Sequence, residues 1–350
     1  MKLLPVRLEP QFVARIWGAR TLAPFFPEKT NLPEPIGEVW LTGNDCRIAT
    51  GPYAGRTLAE AWREMPPEWA GKEMNTAVAF PLLVKFIFSE DILSIQVHPD
   101  DAYAREHEAA VGGRGKTEMW FALAAREGAE VLVGLKPGTA PESFRQAVAD
   151  GTAETFLQRI PMRAGDAIFV PAGTMHTIGP GLVLCEIQQN SDITYRVFDY
   201  NRLTAEGKPR PLHIEKALAV TNFGPQGGGK LAGCRIKRGM LTETFLAACR
   251  HFATERWDFA ARIGAMTSGE RFELFIFIEG SGQFDCGGEK LEYRAAQAWL
   301  LPAALGAFQL DPQGRTSLLR TYVPDIAADF VNRMREQHVP ENVWSRLVFP

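Results

Sequence analysis

No two of the five cysteines (Cys46, Cys185, Cys234, Cys249 and Cys286) form a Cys-x-x-Cys pair. An odd, scattered set is no disulfide framework and points to a reducing compartment. A surplus of one charge is missing too. Lys and Arg number 38 against 41 Asp and Glu, a net charge of −3. That balance argues against a broad nucleic-acid-binding surface but leaves room for a local basic pocket. No uninterrupted apolar run is long enough to span a bilayer. The opening MKLLPVRLEP lacks the apolar core of a signal peptide. The expectation is a cytoplasmic protein with no nucleic-acid or membrane partner; no protein partner can be inferred.

What is present suits a large folded core: 46% of the 350 residues are hydrophobic. Short apolar runs punctuated by Gly and Pro dominate, among them PLLVKFIF, AEVLVGL, DAIFVPAG, GLVLCEIQ, FELFIFIEG and AWLLPA. They are too short, and too rich in β-branched and aromatic residues, for most helices, so they read as strands. Three helices interrupt them. In 57–65, Leu58, Ala61, Trp62 and Met65 share a face, and Thr57 with Glu60 makes a capping box. In 139–151, Thr139 and Glu142 give a similar start and Gly151 a stop; 212–223 is the third. The segment GPQGGGK (224–230) reads as a linker. A helical pattern follows Asp325.

A weak internal repeat pairs RAGDAIFVPAG (163–173) with RAAQAWLLPAA (294–304). Two related β units are the economical reading. Ala307 stands in the second copy where the first has His176, so one unit is expected to be functional and the other mainly structural.

Three pieces carry polar groups out of place in apolar strands. In SIQVHPDD, Ser94, Gln96 and His98 alternate with Ile95 and Val97 and so share one face. In GKTEMW, Lys116 and Glu118 do the same. In GDAIFVPAGTMHTIGP a strand runs through a Pro-Gly turn to His176. Two imidazoles and a carboxylate on rigid strands suit a divalent metal of the zinc, iron or manganese type, with the Gln96 carbonyl as a fourth donor. The other four histidines, His107, His213, His251 and His338, lie in charged or helical context and are expected at the surface.

Gly165, Pro171, Gly173 and His176 follow the second motif of the cupin β-barrels, although Pro180 stands where that motif continues to an Asn. The first motif departs further: Gln96 replaces the first His of a His-x-His, and Glu118 comes much later. With GEVW, PLLVKF, LSIQVHPDD, GKTEMWF, VPAGTMHTIG and SDITYRVFDYNR in order, the chain resembles the type I mannose-6-phosphate isomerases, especially the short bacterial form, over about residues 10–225. The fold this implies is mainly β: two cupin-type jelly-roll barrels with a few packing helices. Residues 1–223 would form the metal-binding catalytic unit with helical insertions, 230–325 a degenerate second cupin, and 326–350 a helical tail.

The resemblance implies one Zn2+ per chain, replaceable by other divalent ions, on Gln96, His98, Glu118 and His176. It implies active-site roles for Lys116, Asp192 and Arg196, and contacts from Ser94, Lys116 and Arg202 to a phosphorylated hexose. The implied reaction is aldose–ketose isomerisation of mannose 6-phosphate and fructose 6-phosphate through a cis-enediol. An always-charged Arg196 suits enediolate stabilisation rather than proton abstraction. Asp192, Lys116 and a metal-bound water stay open as the base. Trp17 and Glu38 read as organisers of the barrel floor, and Lys85 as an apolar-flanked lysine without a named partner. Two other readings compete: an iron-dependent cupin oxygenase and a non-catalytic sugar-phosphate-binding cupin.

Overall fold

The computed structural model describes residues 2–72, 74–204, 207–225 and 228–349. The six apolar runs all become strands. A seven-stranded antiparallel sheet runs in the order Gly229–Leu231, Ala167–Val170, Glu118–Ala125, Leu182–Gln189, Leu82–Ser89, Ile36–Trp40, Gln11–Ala19. Facing it is a five-stranded sheet of Tyr195–Phe198, Ile95–Val97, His176–Ile178, Glu130–Leu135 and Leu157–Pro161. The second half of the chain repeats this plan. Its seven-stranded sheet runs Val6–Arg7, Ala298–Leu301, Glu273–Glu279, Thr316–Tyr322, Ala253–Phe259, Leu241–Ala248, Cys234–Arg238, over a four-stranded partner.

Successive side chains on a strand point to opposite faces, and both faces of the large sheets are buried. On Leu82–Ser89, Leu82, Val84, Phe86 and Phe88 enter one apolar cluster, whereas Ile87 enters another together with Trp120, Ile168 and Leu184. The first cluster also takes Leu274, Ile276, Leu300 and Leu319 from the second half. The large sheets therefore pack back to back, and each barrel keeps its own interior on the opposite face. Phe272 is fully buried at this junction, with its ring edge-on to Trp62 at 5.4 Å and tilted against Phe80 at 5.0 Å.

The ends of the units are exchanged. Val6–Arg7 pairs with Ala298–Leu301 in the second sheet, and Gly229–Leu231 pairs with Ala167–Val170 in the first. Gly229 and Lys230, read from sequence as linker, are thus strand residues: an open sheet edge with unpaired backbone groups takes them up. Gln226 and Gly227 of that segment lie outside the described residues. Gly228 has φ +96, and a Cβ there would meet the Phe169 carbonyl oxygen at 2.5 Å, so the approach to the edge requires glycine.

The first helix, Leu58–Glu64, starts with the expected capping box between Thr57 and Glu60. The second, Pro141–Ala149, does not. Pro141 takes the first turn, Ala140 is the uncapped N-cap, and the Thr139 hydroxyl donates instead to the Lys136 carbonyl at 2.7 Å. The third is shorter than its periodicity, Ile214–Val220. The tail is helical in four short elements after Asp325, joined in two stretches, and buries Phe330, Met334, Trp344 and Leu347 against the second large sheet.

Because the two halves share one core, Phe272→Ala is expected to cost about 3–5 kcal/mol and to lower a single cooperative denaturant transition. Two separated transitions, with only the later half of the chain destabilised, would contradict the shared core.

Candidate metal centre and active-site cavity

Strand register builds the site. Gln96 lies directly opposite His176 on one neighbouring strand and opposite Arg196 on the other. His98 follows the end of Ile95–Val97, and its carbonyl accepts from Gly173 N at 2.8 Å, which ties the two imidazole-bearing segments together. Gly173 has φ +81 and no room for a side chain, since a Cβ would sit 2.9 Å from the Val220 carbonyl oxygen. Glu118 opens its strand on the barrel-interior face, the same face as Trp120.

His98, Glu118 and His176 come together, with ligand atoms all within 4.8 Å of one another. His176 Nε2 is 3.4 Å from Glu118 Oε1, and His98 Nε2 is 3.7 Å from Oε2. Each imidazole donates Nδ1–H to a backbone carbonyl, His98 to Ile193 at 2.7 Å and His176 to Thr174 at 2.9 Å. That leaves both Nε2 atoms as lone-pair donors facing the carboxylate. Among the described residues, His98 Nε2 and both Glu118 oxygens have no hydrogen-bond partner despite complete burial. Lys116 Nζ reaches Glu118 Oε2 at 2.8 Å without hydrogen-bond alignment, which leaves His98 Nε2 and Glu118 Oε1 as buried acceptors that a divalent cation fits. The Gln96 amide is 3.3 Å from His176 Nε2; a half-turn of it aims its carbonyl oxygen at the cluster. Burial, reinforced by the nearby Lys116 charge, depresses the His98 pKa far below the usual imidazole value and so keeps the ring neutral. His176 is likewise lowered to about 4, with burial the dominant cause.

Beside the cluster lies a cavity of about 390 Å³, and Ser94, Gln96, Lys116, Asp192 and Arg196 line it. Lys116 Nζ is 2.8 Å from Glu118 Oε2 and 3.6 Å from Glu186 Oε1. Burial opposes its charge, but those two carboxylates outweigh burial and raise its pKa. Arg196 Nε donates to the Ser94 hydroxyl at 3.1 Å. Burial, then the neighbouring Arg210, works against its charge. Asp192 accepts from Lys85 Nζ at 2.9 Å; Lys85 and Lys116 outweigh its burial and hold it ionised.

Arg202 is placed elsewhere. Its guanidinium is spent on Asp199, on Asp91 and on the Ile92 carbonyl. The basic group that the 199–213 loop brings to the cavity wall is Arg210, braced by Asp199 through Nε at 2.7 Å. Glu38 and Trp17, read as floor organisers, line the cavity, as do Arg15, Lys85 and Glu186. Lys85 is the hub, 3.6 Å from Glu38, 3.9 Å from Glu186 and bonded to Asp192. Burial raises the Glu186 pKa, and Lys116 pulls against it. Sequence held one signal for Glu186: a lone carboxylate within the apolar run LVLCEIQ, just as Lys85 stands alone in PLLVKFIF. Arg15 and Arg210 carried none, because a register and a loop path bring them in.

Two neutral imidazoles and a carboxylate between packed antiparallel sheets, opening on a charged cavity, define a metal-dependent cupin-type protein. A model of the phosphomannose isomerase type I catalytic domain matches residues 6–131, which include Gln96, His98 and Glu118. A mannose-6-phosphate isomerase of Streptococcus mutans is 34% identical over 88% of this chain and 95% of its own. A probable mannose-6-phosphate isomerase of Bacillus subtilis, GmuF, is 34% identical over 88% and 96%. The crystal structure of a Bacillus subtilis mannose 6-phosphate isomerase superposes with a TM-score of 0.82 at 33% identity, over 91% of this chain and 99% of that one. The chain belongs to the type I mannose-6-phosphate isomerase family.

The neutral imidazoles set a pH dependence for the metal-free protein. Unfolded, they take up protons below pH about 6.5; folded, His176 does so only near 4. The unfolded state binds more protons in that window, so stability falls as pH drops through it, by about 3 kcal/mol for His176. His176→Gln is expected to remove that part of the slope when denaturant unfolding is followed between pH 7 and 4. An unchanged slope would overturn the neutral-imidazole assignment.

Proposed function

We propose that this chain interconverts mannose 6-phosphate and fructose 6-phosphate, using one zinc ion held by Gln96, His98, Glu118 and His176. The observation that carries the reading is the orphaned His98–Glu118–His176 cluster beside Lys116, Asp192 and Arg196 in one cavity. A nitrogen- and oxygen-donor set with no thiolate suits zinc and accepts other divalent ions. Once bound, such an ion supplies fixed positive charge for the sugar oxygens as the enediolate forms.

The chain's own residues do the rest. Aldose–ketose exchange moves a proton between C1 and C2, which needs a base beside carbon and a cation beside oxygen. Asp192, held ionised by Lys85, has lone pairs to take the proton. Lys116, held charged by Glu118 and Glu186, faces a developing oxyanion as donor. Arg196 cannot lose its proton and fixes the substrate while stabilising charge. Ser94, Arg196 and Arg210 make the phosphate end, and Arg202 braces Asp199 behind Arg210. We place catalysis in residues 1–223, with 230–325 as the metal-free unit and 326–350 as its packing tail. The five cysteines are buried and free, which supports a cytoplasmic setting. No helix among the described residues is long and apolar enough to cross a membrane.

Purified protein given fructose 6-phosphate is expected to yield mannose 6-phosphate, to stop with chelator, and to recover with zinc. Absence of turnover after zinc is restored, or oxygen uptake instead of isomerisation, would sink the reading. His176→Ala should lose both bound metal, by elemental analysis, and turnover.

Within the site, Asp192→Asn is expected to lower kcat about 10²–10⁴-fold with little change in KM, as loss of a general base does. Arg210→Ala should instead raise KM about 10–100-fold, the worth of a charge-assisted bond. Steady-state kinetics on both variants separates the two roles; a kcat defect in Arg210→Ala with unaltered KM would remove it from the phosphate end.

A further inference from the structure

The second unit repeats the first residue by residue, and the repeat extends to charged side chains. Glu118 pairs with Val170, and Glu273 pairs with Leu301 at the matching position of the internal repeat. Two residues on, Trp120 pairs with Glu186, and Phe275 pairs with Arg320. Glu186 then pairs with Lys85, and Arg320 with Glu255. Ile87 pairs with Glu38, and Trp257 with Glu243. So Glu273 stands for Glu118, Glu243 for Glu38, and the Lys85–Glu186 pair returns with its signs reversed as Glu255–Arg320. The strand returns without its imidazole: Ala307 opposite Met266 replaces His176 opposite Gln96.

A barrel that had merely lost its metal ligands would be expected to fill with apolar side chains, as protein interiors do. Phe275, Phe277, Phe284, Trp299 and Phe308 do fill this interior, yet a cavity of about 440 Å³ remains beside them at the mouth, against about 390 Å³ in the first unit. Its wall includes Arg238, Arg262, Arg320, Arg333, Glu243 and Trp257. Arg320 is held by Glu273 and Glu255, and Arg333 bridges Glu243 and Glu255 at 2.7 and 2.8 Å. Arg238 and Arg262 stand at the mouth with about half their side chains exposed (42% and 54%). Arg262 also reaches Asp311 at 2.6 Å. Glu243 is 2% exposed, yet its Oε2 has no hydrogen-bond donor among the described residues. Arg238 Nε lies 3.1 Å from that oxygen without hydrogen-bond alignment. The wall thus joins four guanidinium groups, each paired with a carboxylate, to one buried oxygen without an aligned donor and to an apolar side of Trp257, Met240 and Ile263.

We propose that the second unit carries a metal-free binding site for a small phosphorylated sugar, with the Arg238 and Arg262 forks taking the phosphate, Glu243 accepting from a hydroxyl and Trp257 covering a C–H face. Guanidinium forks match phosphate oxygens two at a time. The site does not depend on what the first unit catalyses.

The test uses glucitol 6-phosphate, which lacks a carbonyl and cannot be isomerised. Calorimetric titration of the zinc-loaded full chain is expected to show two sites per chain. Arg238→Ala/Arg262→Ala, both half-exposed at the mouth and paired with Glu243 and Asp311 of the second unit, should leave one site and an unchanged kcat. His98→Ala/His176→Ala should leave the other site. If that variant does not fold, the stoichiometry of the arginine double variant decides alone. Glucitol and inorganic phosphate should each bind at least about 10-fold more weakly than the phosphorylated polyol, the worth of one lost charge-assisted bond. One site per chain, a second site indifferent to the arginine substitutions, or inorganic phosphate binding as tightly as the sugar phosphate would overturn the proposal. Loss of the first site's activity with the arginine-dependent site intact would count against the isomerase reading alone.

Discussion

The two-residue period of a strand buried on both faces constrains everything else in this molecule. One parity of the large sheets, Val84, Phe86, Met119, Phe121 and Ile187, must meet the other barrel; the opposite parity, Lys85, Ile87, Glu118, Trp120 and Glu186, must face a barrel interior. A slip of one residue would drive Lys85 and Glu186 into the apolar junction and expose the cavity to phenylalanine. The back-to-back core therefore fixes the register, and the register fixes the site. Exchange of Val6–Arg7 and Gly229–Leu231 between the large sheets adds a topological tie to the same junction.

Buried charge is tolerated here because no charged group is left alone. Lys85 has three carboxylates within 4 Å, and Lys116 has two. Separating any one of them from its partners would leave an uncompensated ion in a low-dielectric interior. The network is thus a positioning device as well as a reservoir of charge. It holds Asp192 at the cavity rim and Lys116 against Glu118, and it keeps the imidazoles neutral for a metal. His98 Nε2 and Glu118 Oε1, without a hydrogen-bond partner among the described residues, are the atoms a cation would satisfy.

Much of this was legible in the sequence for local reasons. Alternation in SIQVHPDD set Ser94, Gln96 and His98 on one face, and the spacing from Gly165 to His176 marked the turn that delivers the second imidazole. The capping box at Thr57 was readable because its partners lie three residues apart. What stayed hidden was non-local. Glu186 reaches the site through its pairing with Lys85, a hundred residues away in sequence. Arg210 arrives by the path of a loop, and the sequence offered Arg202 instead, a residue equally basic but claimed by Asp199 and a backbone carbonyl. The linker reading of 224–230 failed at Gly229 and Lys230 because nothing local announces an unpaired sheet edge awaiting a partner.

The comparison of the two barrels separates what the fold needs from what the chemistry needs. Both keep a carboxylate opening the strand at Glu118 or Glu273, and both keep oppositely charged residues across the central strands. Those features survive without a metal, so they belong to the architecture: paired charges inside a wide barrel stay satisfied whichever strand carries which sign. The residues that set the first barrel apart are the two imidazoles and Gln96, whereas Lys116 has the basic Arg271 at its matching position. All three sit at the end where the small sheet meets the large one, and there the second barrel has Ala307 and Met266. A few side chains at one rim thus distinguish the first unit from the second, laid over paired charges that both keep. In the second unit the same lattice borders a filled aromatic core and leaves a cavity at its mouth where Arg238, Arg262, Arg320 and Arg333 meet apolar side chains.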